Sequence, residues 1–193
     1  MTELLIVRHG ETDWNAELRF QGHADPPLNE TGRAQARELA AELARTVADA
    51  IYSSDLVRAR ETAEILSERL EVPVTTLSEL REIDVGSWQG LTRDEIETAF
   101  PGAYRSWRAG ETGWAGGETY DELRARILPA LERIADAHPG GSVIVVGHGG
   151  TIRTLRAHVA GSTVAEHRRS LPPIANCEVF RLDVVDAAFR GTE

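Results

Sequence analysis

Two of the six histidines stand in matching contexts, Val7-Arg8-His9-Gly10 and Val146-Gly147-His148-Gly149. Each follows an apolar run and precedes glycine. A lone histidine at a strand end is ordinarily a structural hydrogen-bonding group. Two in one context, the first directly after an arginine, point to chemistry. A neutral imidazole can attack phosphorus and become a phosphohistidine. Guanidinium forks bind phosphate oxygens in pairs and offset transition-state charge. A second histidine, if protonated, adds a charged donor. A departing alkoxide needs a proton, so a carboxylic acid should stand nearby. This set requires neither a metal nor a lysine.

Such residues must be held by elements that bring them together. Leu4-Leu5-Ile6-Val7 and Ser142-Val143-Ile144-Val145-Val146 read as buried strands, and Ile51-Tyr52-Ser53 as another. Val72–Thr76 and Cys177–Val184 complete the expected strands. Asn29 caps a helix to about Val47, with Ala36, Leu39, Ala40 and Leu43 on its apolar face. Ser54 or Asp55 opens a helix to about Leu70. Thr92-Arg93-Asp94-Glu95 and Thr119-Tyr120-Asp121-Glu122 are capping boxes, the second starting a helix to about Ala137. A further helix is expected over Thr151–Ala160. Strands alternating with helices predict an α/β fold with a largely parallel sheet. Ligands of such sheets sit beyond the carboxyl ends of strands, which selects Arg8, His9, Ser53, Ser54, Arg58 and His148. For Arg58 alone, a solvated ion pair with Glu61 or Glu64 is the plain alternative.

The composition narrows the ligand. The chain has 193 residues, 31 acids, 21 arginines, no lysine and a formal net charge of −10. That charge argues against a general nucleic-acid or anionic-membrane surface. No apolar run is long enough for a transmembrane helix, and the start lacks the pattern of a signal peptide. The single Cys177 excludes an internal disulfide and a cysteine-rich zinc site. A cytoplasmic protein is expected. Without lysine there is no Schiff-base or P-loop lysine chemistry. Two histidines near carboxylates could alternatively hold a metal, but Arg8 and Arg58 would repel a cation there.

Leu5-Ile6-Val7-Arg8-His9-Gly10-Glu11-Thr12 resembles the signature of the histidine phosphatase superfamily, the phosphoglycerate-mutase-like proteins. The likeness continues through Trp14-Asn15, Arg19-Phe20-Gln21-Gly22, Asp25-Pro26-Pro27-Leu28 and Thr31-Gly32-Arg33-Ala34. It resumes at Tyr52–Ala63, Leu80–Gly90, Gly116-Gly117-Glu118-Thr119 and Val145–Gly150. The resemblance implies a three-layer α/β/α, phosphoglycerate-mutase-like fold. It spans residues 1–193 as a single domain, with an insert at about 78–117 over the active site. It implies that His9 is the nucleophile and that Arg8, Arg58 and His148 complete a phosphate pocket. Glu82 would protonate the leaving group and then activate water. Asn15, Thr12, Gln21, Gly22 and Gly149 would contact substrate, with no metal and no cofactor. The expected substrate is a small phosphorylated metabolite.

Other residues are read more plainly. Glu11 is expected to hydrogen-bond the loop backbone, and Thr12 could equally cap a local turn. Trp14, Trp88, Trp107 and Trp114 read as core or pocket wall, and His23 as a loop residue near substrate. His138, His158, His167, Arg168 and Arg169 read as surface or structural. Arg105 and Arg108 are candidates for a second anionic group of the substrate. Cofactor-dependent mutases of the family carry a substrate-binding lysine and a tandem arginine in a longer insert. Val85-Gly86-Ser87-Trp88-Gln89-Gly90 and the absence of lysine resemble the phosphatase branch instead. The alternatives are a mutase and, in another class, a non-catalytic phosphate-binding interaction domain.

Overall fold

The computed structural model describes residues 1–166 and 172–191. Strands β1 (Thr2–Arg8), β2 (Ala50–Ser53), β3 (Val74–Thr76), β4 (Ser142–Gly147), β5 (Val179–Val185) and β6 (Ala188–Gly191) form one sheet. Its order is β3-β2-β4-β1-β5-β6. The first four strands in that order are parallel, and β5 and β6 add antiparallel edges. β1 and β4 are direct neighbours, with Val7 opposite Val146 and Arg8 opposite Gly147. His9 and His148 therefore leave the sheet side by side at the carboxyl ends of one central strand pair.

The continuous apolar runs follow from burial on both faces. Leu4, Ile6, Val143 and Val145 face Leu123 and Ile127 of helix α6 (Tyr120–Ala137) and Ile152 and Leu155 of α7 (Gly149–Val159). Leu5, Val7, Ile144 and Val146 face Leu39 of α2 (Glu30–Glu42) and Ala59, Ala63 and Leu66 of α3 (Val57–Leu70). The architecture is thus three layers, α/β/α, as the resemblance implied.

Several boundaries differ from the sequence expectation. α3 begins at Val57, not Ser54 or Asp55, because the carboxylate that accepts the Val57 N–H belongs to Asp25 at 2.6 Å. Asp55 is held instead by the Arg81 guanidinium. α2 stops at Glu42 and tightens into a 3-10 turn over Leu43–Arg45. α7 starts at Gly149, two residues early, with His148 as its N-cap. β5 and β6 form a hairpin with no turn signal in the sequence, since Asp186 and Ala187 take positive φ without a glycine. His167, Arg168 and Arg169 lie outside the described residues.

The segment from 78 to 117 holds short elements. Two 3-10 turns (Ser78–Leu80 and Gly86–Trp88) precede α4 (Arg93–Ala99) and α5 (Pro101–Ala109). Trp88 is fully buried and meets Phe20, Trp107 and Trp114 edge to face at 5.5, 5.8 and 5.5 Å between ring centres. Such aromatic edges can hold irregular backbone without a ladder of hydrogen bonds. Among the described residues, no helix is long and apolar enough to cross a membrane.

Candidate active site

His9 follows directly on β1, its N–H donating to the Gly147 carbonyl at 3.0 Å. Its Nδ1 lies 2.6 Å from the Gly10 carbonyl oxygen. A carbonyl only accepts, so Nδ1 carries the proton and Nε2 keeps the lone pair. The His148 ring stands 5.3 Å away, centre to centre. Both imidazoles are held well below their ordinary pKa, first by burial, then by the Arg58 charge, with Arg8 adding to it. They are neutral at pH 7, so His148 sits in the site as a neutral donor rather than a cation.

Arg58 is fully buried in the first turn of α3. Its Nη1 donates to the Ala24 carbonyl at 2.7 Å and its Nη2 to the Gly22 carbonyl at 2.8 Å. Burial lowers its pKa to about 10, against the opposing pull of Glu82 and Asp25. Arg8, at the end of β1, donates from Nη1 to the Ile174 carbonyl. Its pKa is lowered by burial and raised by Glu82. The buried Nε atoms of Arg8 and Arg58 and both ring nitrogens of His148 have no partner among the described residues. Unpaired buried polar groups are costly, about 1–3 kcal/mol each, so a cluster of them at one strand-end pair marks a binding site.

These residues border a cleft of about 340 Å³. Arg8, His9, Asn15, Gln21, Gly22, Arg58, Glu82 and Gly149 line it, bringing together eight of the ten predicted site residues; His148 lies behind them against the His9 ring. Thr12 does not line the cleft. Its hydroxyl accepts the Asn15 N–H at 3.1 Å and caps the short helix α1 (Asp13–Ala16), so the local-turn role prevails. The Asn15 side chain closes that box, its Oδ1 accepting the Thr12 N–H at 3.1 Å. Gly22 has φ +52 and packs against Val85, and its carbonyl fixes Arg58. The loop from Gln21 thus orients the arginine as well as bordering the cleft.

Glu82 enters from the irregular segment. Its Oε1 accepts the Ile83 N–H at 2.8 Å, and both its oxygens lie 3.1 Å from the Gly150 N–H. A Cβ on Gly150 would collide with Glu82 Oε1, so any side chain there would push the carboxylate aside. Gly150 stood in the strand-end motif, yet its relation to a carboxylate 68 positions away left no mark in sequence spacing.

Other expectations are redirected. The Glu11 carboxylate takes the Asn29 side chain at 3.0 Å rather than loop backbone, steadying the N-cap of α2. His23 does not line the cleft and donates from Nε2 to the Glu82 carbonyl at 2.9 Å. Trp107 and Trp114, with Phe20 and Tyr120, form the far wall. Arg105 and Arg108 are exposed and stay off that wall. Two other arginines border the cleft, Arg93 at that wall and Arg153 near enough to Arg8 for its charge to act on it, and neither has an acid partner among the described residues. Arg93 lies over the Trp107 ring, 5.9 Å from its centre. His138 pairs with the Tyr52 hydroxyl, and His158 meets the Phe189 ring, both away from the cleft. Among the described residues, no three His, Cys, Asp or Glu side chains gather as a metal site.

The sequence profile of the histidine phosphatase superfamily (branch 1) matches residues 4–191. Phosphoglycerate mutase-like protein 4 of Arabidopsis thaliana is 44% identical over 93% of this chain and 79% of its own length. A metal-independent phosphoserine phosphatase from the same plant is 40% identical over 86% of this chain and 71% of its own. Among solved structures, a mycobacterial glucosyl-3-phosphoglycerate phosphatase complexed with VO3 superposes with a TM-score of 0.88. It is 36% identical and covers 98% of this chain and 96% of its own.

Proposed function

This chain belongs to branch 1 of the histidine phosphatase superfamily and is a phosphatase of small phosphorylated metabolites, and from that premise we propose that it works metal-independently through phospho-His9. The observation that carries the proposal is the contact of His9 Nδ1 with the Gly10 carbonyl, which assigns the proton to Nδ1 and leaves the Nε2 lone pair free beside the unpartnered buried nitrogens of Arg8, Arg58 and His148. Nε2 attacks phosphorus as the P–O bond to the leaving alkoxide breaks. The guanidiniums and the His148 N–H take the developing charge on the non-bridging oxygens. Glu82, protonated, gives its proton to the alkoxide. The resulting carboxylate takes a proton from water, whose oxygen attacks phospho-His9. Inorganic phosphate leaves, and His9 and Glu82 return to their starting forms.

The held-neutral His9 sets a pH signature. An unshifted histidine would lose its nucleophile below about 6.5. Here burial and the arginines keep Nε2 unprotonated well below that value, so kcat/KM is expected to persist into mildly acid solution. The same proposal takes residues 1–193 as one domain in which the segment 78–117 roofs the cleft. It sets the enzyme in the cytoplasm, a setting supported by a chain with one cysteine. A phosphate-release screen over phosphorylated metabolites tests the function. Turnover insensitive to EDTA, inhibited by vanadate and lost in His9→Ala is expected. Full activity in His9→Ala, or phosphoryl transfer to a second metabolite instead of water, contradicts it.

A further inference from the structure

Glu82 hangs on a loop with no regular structure, yet its carboxyl must meet a leaving group within tenths of an ångström. Something must hold its backbone. The Arg126 guanidinium, from the middle of α6, reaches across to that loop. Nη1 donates to the carbonyls of Glu79 at 2.7 Å and Arg81 at 2.9 Å, and Nη2 to the carbonyl of Glu82 itself at 2.8 Å. These are the carbonyls that the 3-10 turn Ser78–Leu80 and the extended residues after it leave without backbone partners.

The same guanidinium is fixed from behind. Nε and Nη2 donate to the Glu118 carboxylate at 2.6 and 2.8 Å. Glu118 Oε2 also accepts the Asp84 N–H at 3.1 Å, and the Glu118 N–H donates to the Asp84 carbonyl at 2.9 Å. The ion pair therefore grips the loop on both flanks of Glu82, upstream through Arg126 and downstream through Glu118. The Gly116-Gly117-Glu118-Thr119 block, singled out in the sequence without a role, delivers this carboxylate. Gly117 packs against the Asp84 carbonyl with no room for a side chain.

We propose that Arg126, backed by Glu118, is a positioning residue for Glu82: it acts on leaving-group protonation by clamping the Glu82 backbone. A lysine would substitute only in part, because an ammonium lacks the planar fork that spans three carbonyls and a bidentate carboxylate. The inference rests on Glu82 being the general acid.

The test compares kcat/KM on p-nitrophenyl phosphate, whose phenolate departs with little help, with an alkyl phosphate, whose alkoxide needs the proton. kcat/KM reports steps up to His9 phosphorylation, so later water attack does not blur it. Wild type, Glu82→Gln, Arg126→Ala, Arg126→Lys and Glu118→Gln are measured, with melting curves for each. Arg126→Ala is expected to lose at least about tenfold more on the alkyl ester than on the aryl ester, in the direction of Glu82→Gln. Arg126→Lys should show a smaller split of the same sign, and it decides the matter if Arg126→Ala does not fold. Equal losses on both esters in a folded Arg126 variant, while Glu82→Gln shows the split, overturn the inference and leave the proposed function intact. No split in Glu82→Gln overturns the assignment of Glu82 and the inference with it.

Discussion

At one end of the cleft, His9, Arg8 and Gly149 hang from the carboxyl ends of two hydrogen-bonded parallel strands. At the other end, Trp107, Trp114 and Tyr120 come from a short helix, a loop and a helix start, joined by ring edges. The first end is a sheet product: backbone pairing fixes each side chain to its neighbour, and polar donors are left aimed at a ligand. The second end is made by side chains packing on side chains, in one apolar cluster with the sheet residues Leu4, Ile6, Val143 and Val145. The proposed chemistry uses groups of the first end, and on the same proposal the second end is where substrates are told apart. Glu82 is the one reacting group assigned to the irregular half, and it is tied back to the sheet-borne half through the Gly150 amide.

The largest effect expected at the strand end is that of the nucleophile. His9→Ala should lower kcat at least about 10⁴-fold, measured by phosphate release, with folding unchanged by circular dichroism. A residual rate close to wild type would move the nucleophile elsewhere. Next comes the tie between the halves. Gly150→Ala forces the Glu82 carboxylate aside and should reduce kcat about 10²-fold. Gly149→Ala, whose added methyl meets only ordinary contacts with Arg8, should cost distinctly less. If the two alanine variants behave alike, Gly150 has no special relation to the acid.

Stability against pH sharpens the comparison further. His9 and His148 are neutral in the folded chain, whereas unfolded histidines gain protons near pH 6.5. The unfolded state then binds more protons, so stability falls as pH drops below about 6.5, toward the folded pKa values. The slope is about 1.4 kcal/mol per pH unit for each histidine. Urea midpoints across this range should show the decline, and His148→Gln should flatten it by about half. A wild-type protein that gains stability on acidification would show that the imidazoles are not held neutral.

The smallest effects belong to the two arginines that border the cleft without an acid partner. Arg93→Ala together with Arg153→Ala should lower kcat/KM for a phosphomonoester with a carboxylate several-fold more than for p-nitrophenyl phosphate. The same change at Arg105 and Arg108, which are exposed and off the cleft, should leave that ratio unmoved. The reverse result would return the second anionic contact to Arg105 and Arg108.

What could be read from the sequence follows the same division. Apolar runs ending in Arg8-His9-Gly10 and Gly147-His148-Gly149 announced both strands and what they carry, because buried parallel strands have a composition of their own. Arg58 could be placed at a helix start by periodicity. Thr12 was open between cap and ligand, since capping and phosphate binding use the same hydroxyl. The cap of α3 was missed because Asp25, 32 residues before Val57, supplies it through space. Arg126 left no trace at all: its grip on three carbonyls 44 to 47 residues back has no periodicity to betray it. Arg105 and Arg108 were chosen for their place in the insert, and helix phase turned them outward. Tertiary contacts that join a helix to an irregular loop are written in geometry rather than in spacing.

The central claim is the covalent intermediate on His9. Glu82→Gln, mixed with a phosphomonoester radiolabelled on phosphorus and quenched within milliseconds to seconds, tests it most directly. The account predicts label bound to protein that is stable in base and released by acid, absent when His9→Ala is added to the same variant. Label retained by the double variant, or none on Glu82→Gln while it still turns over, would contradict it.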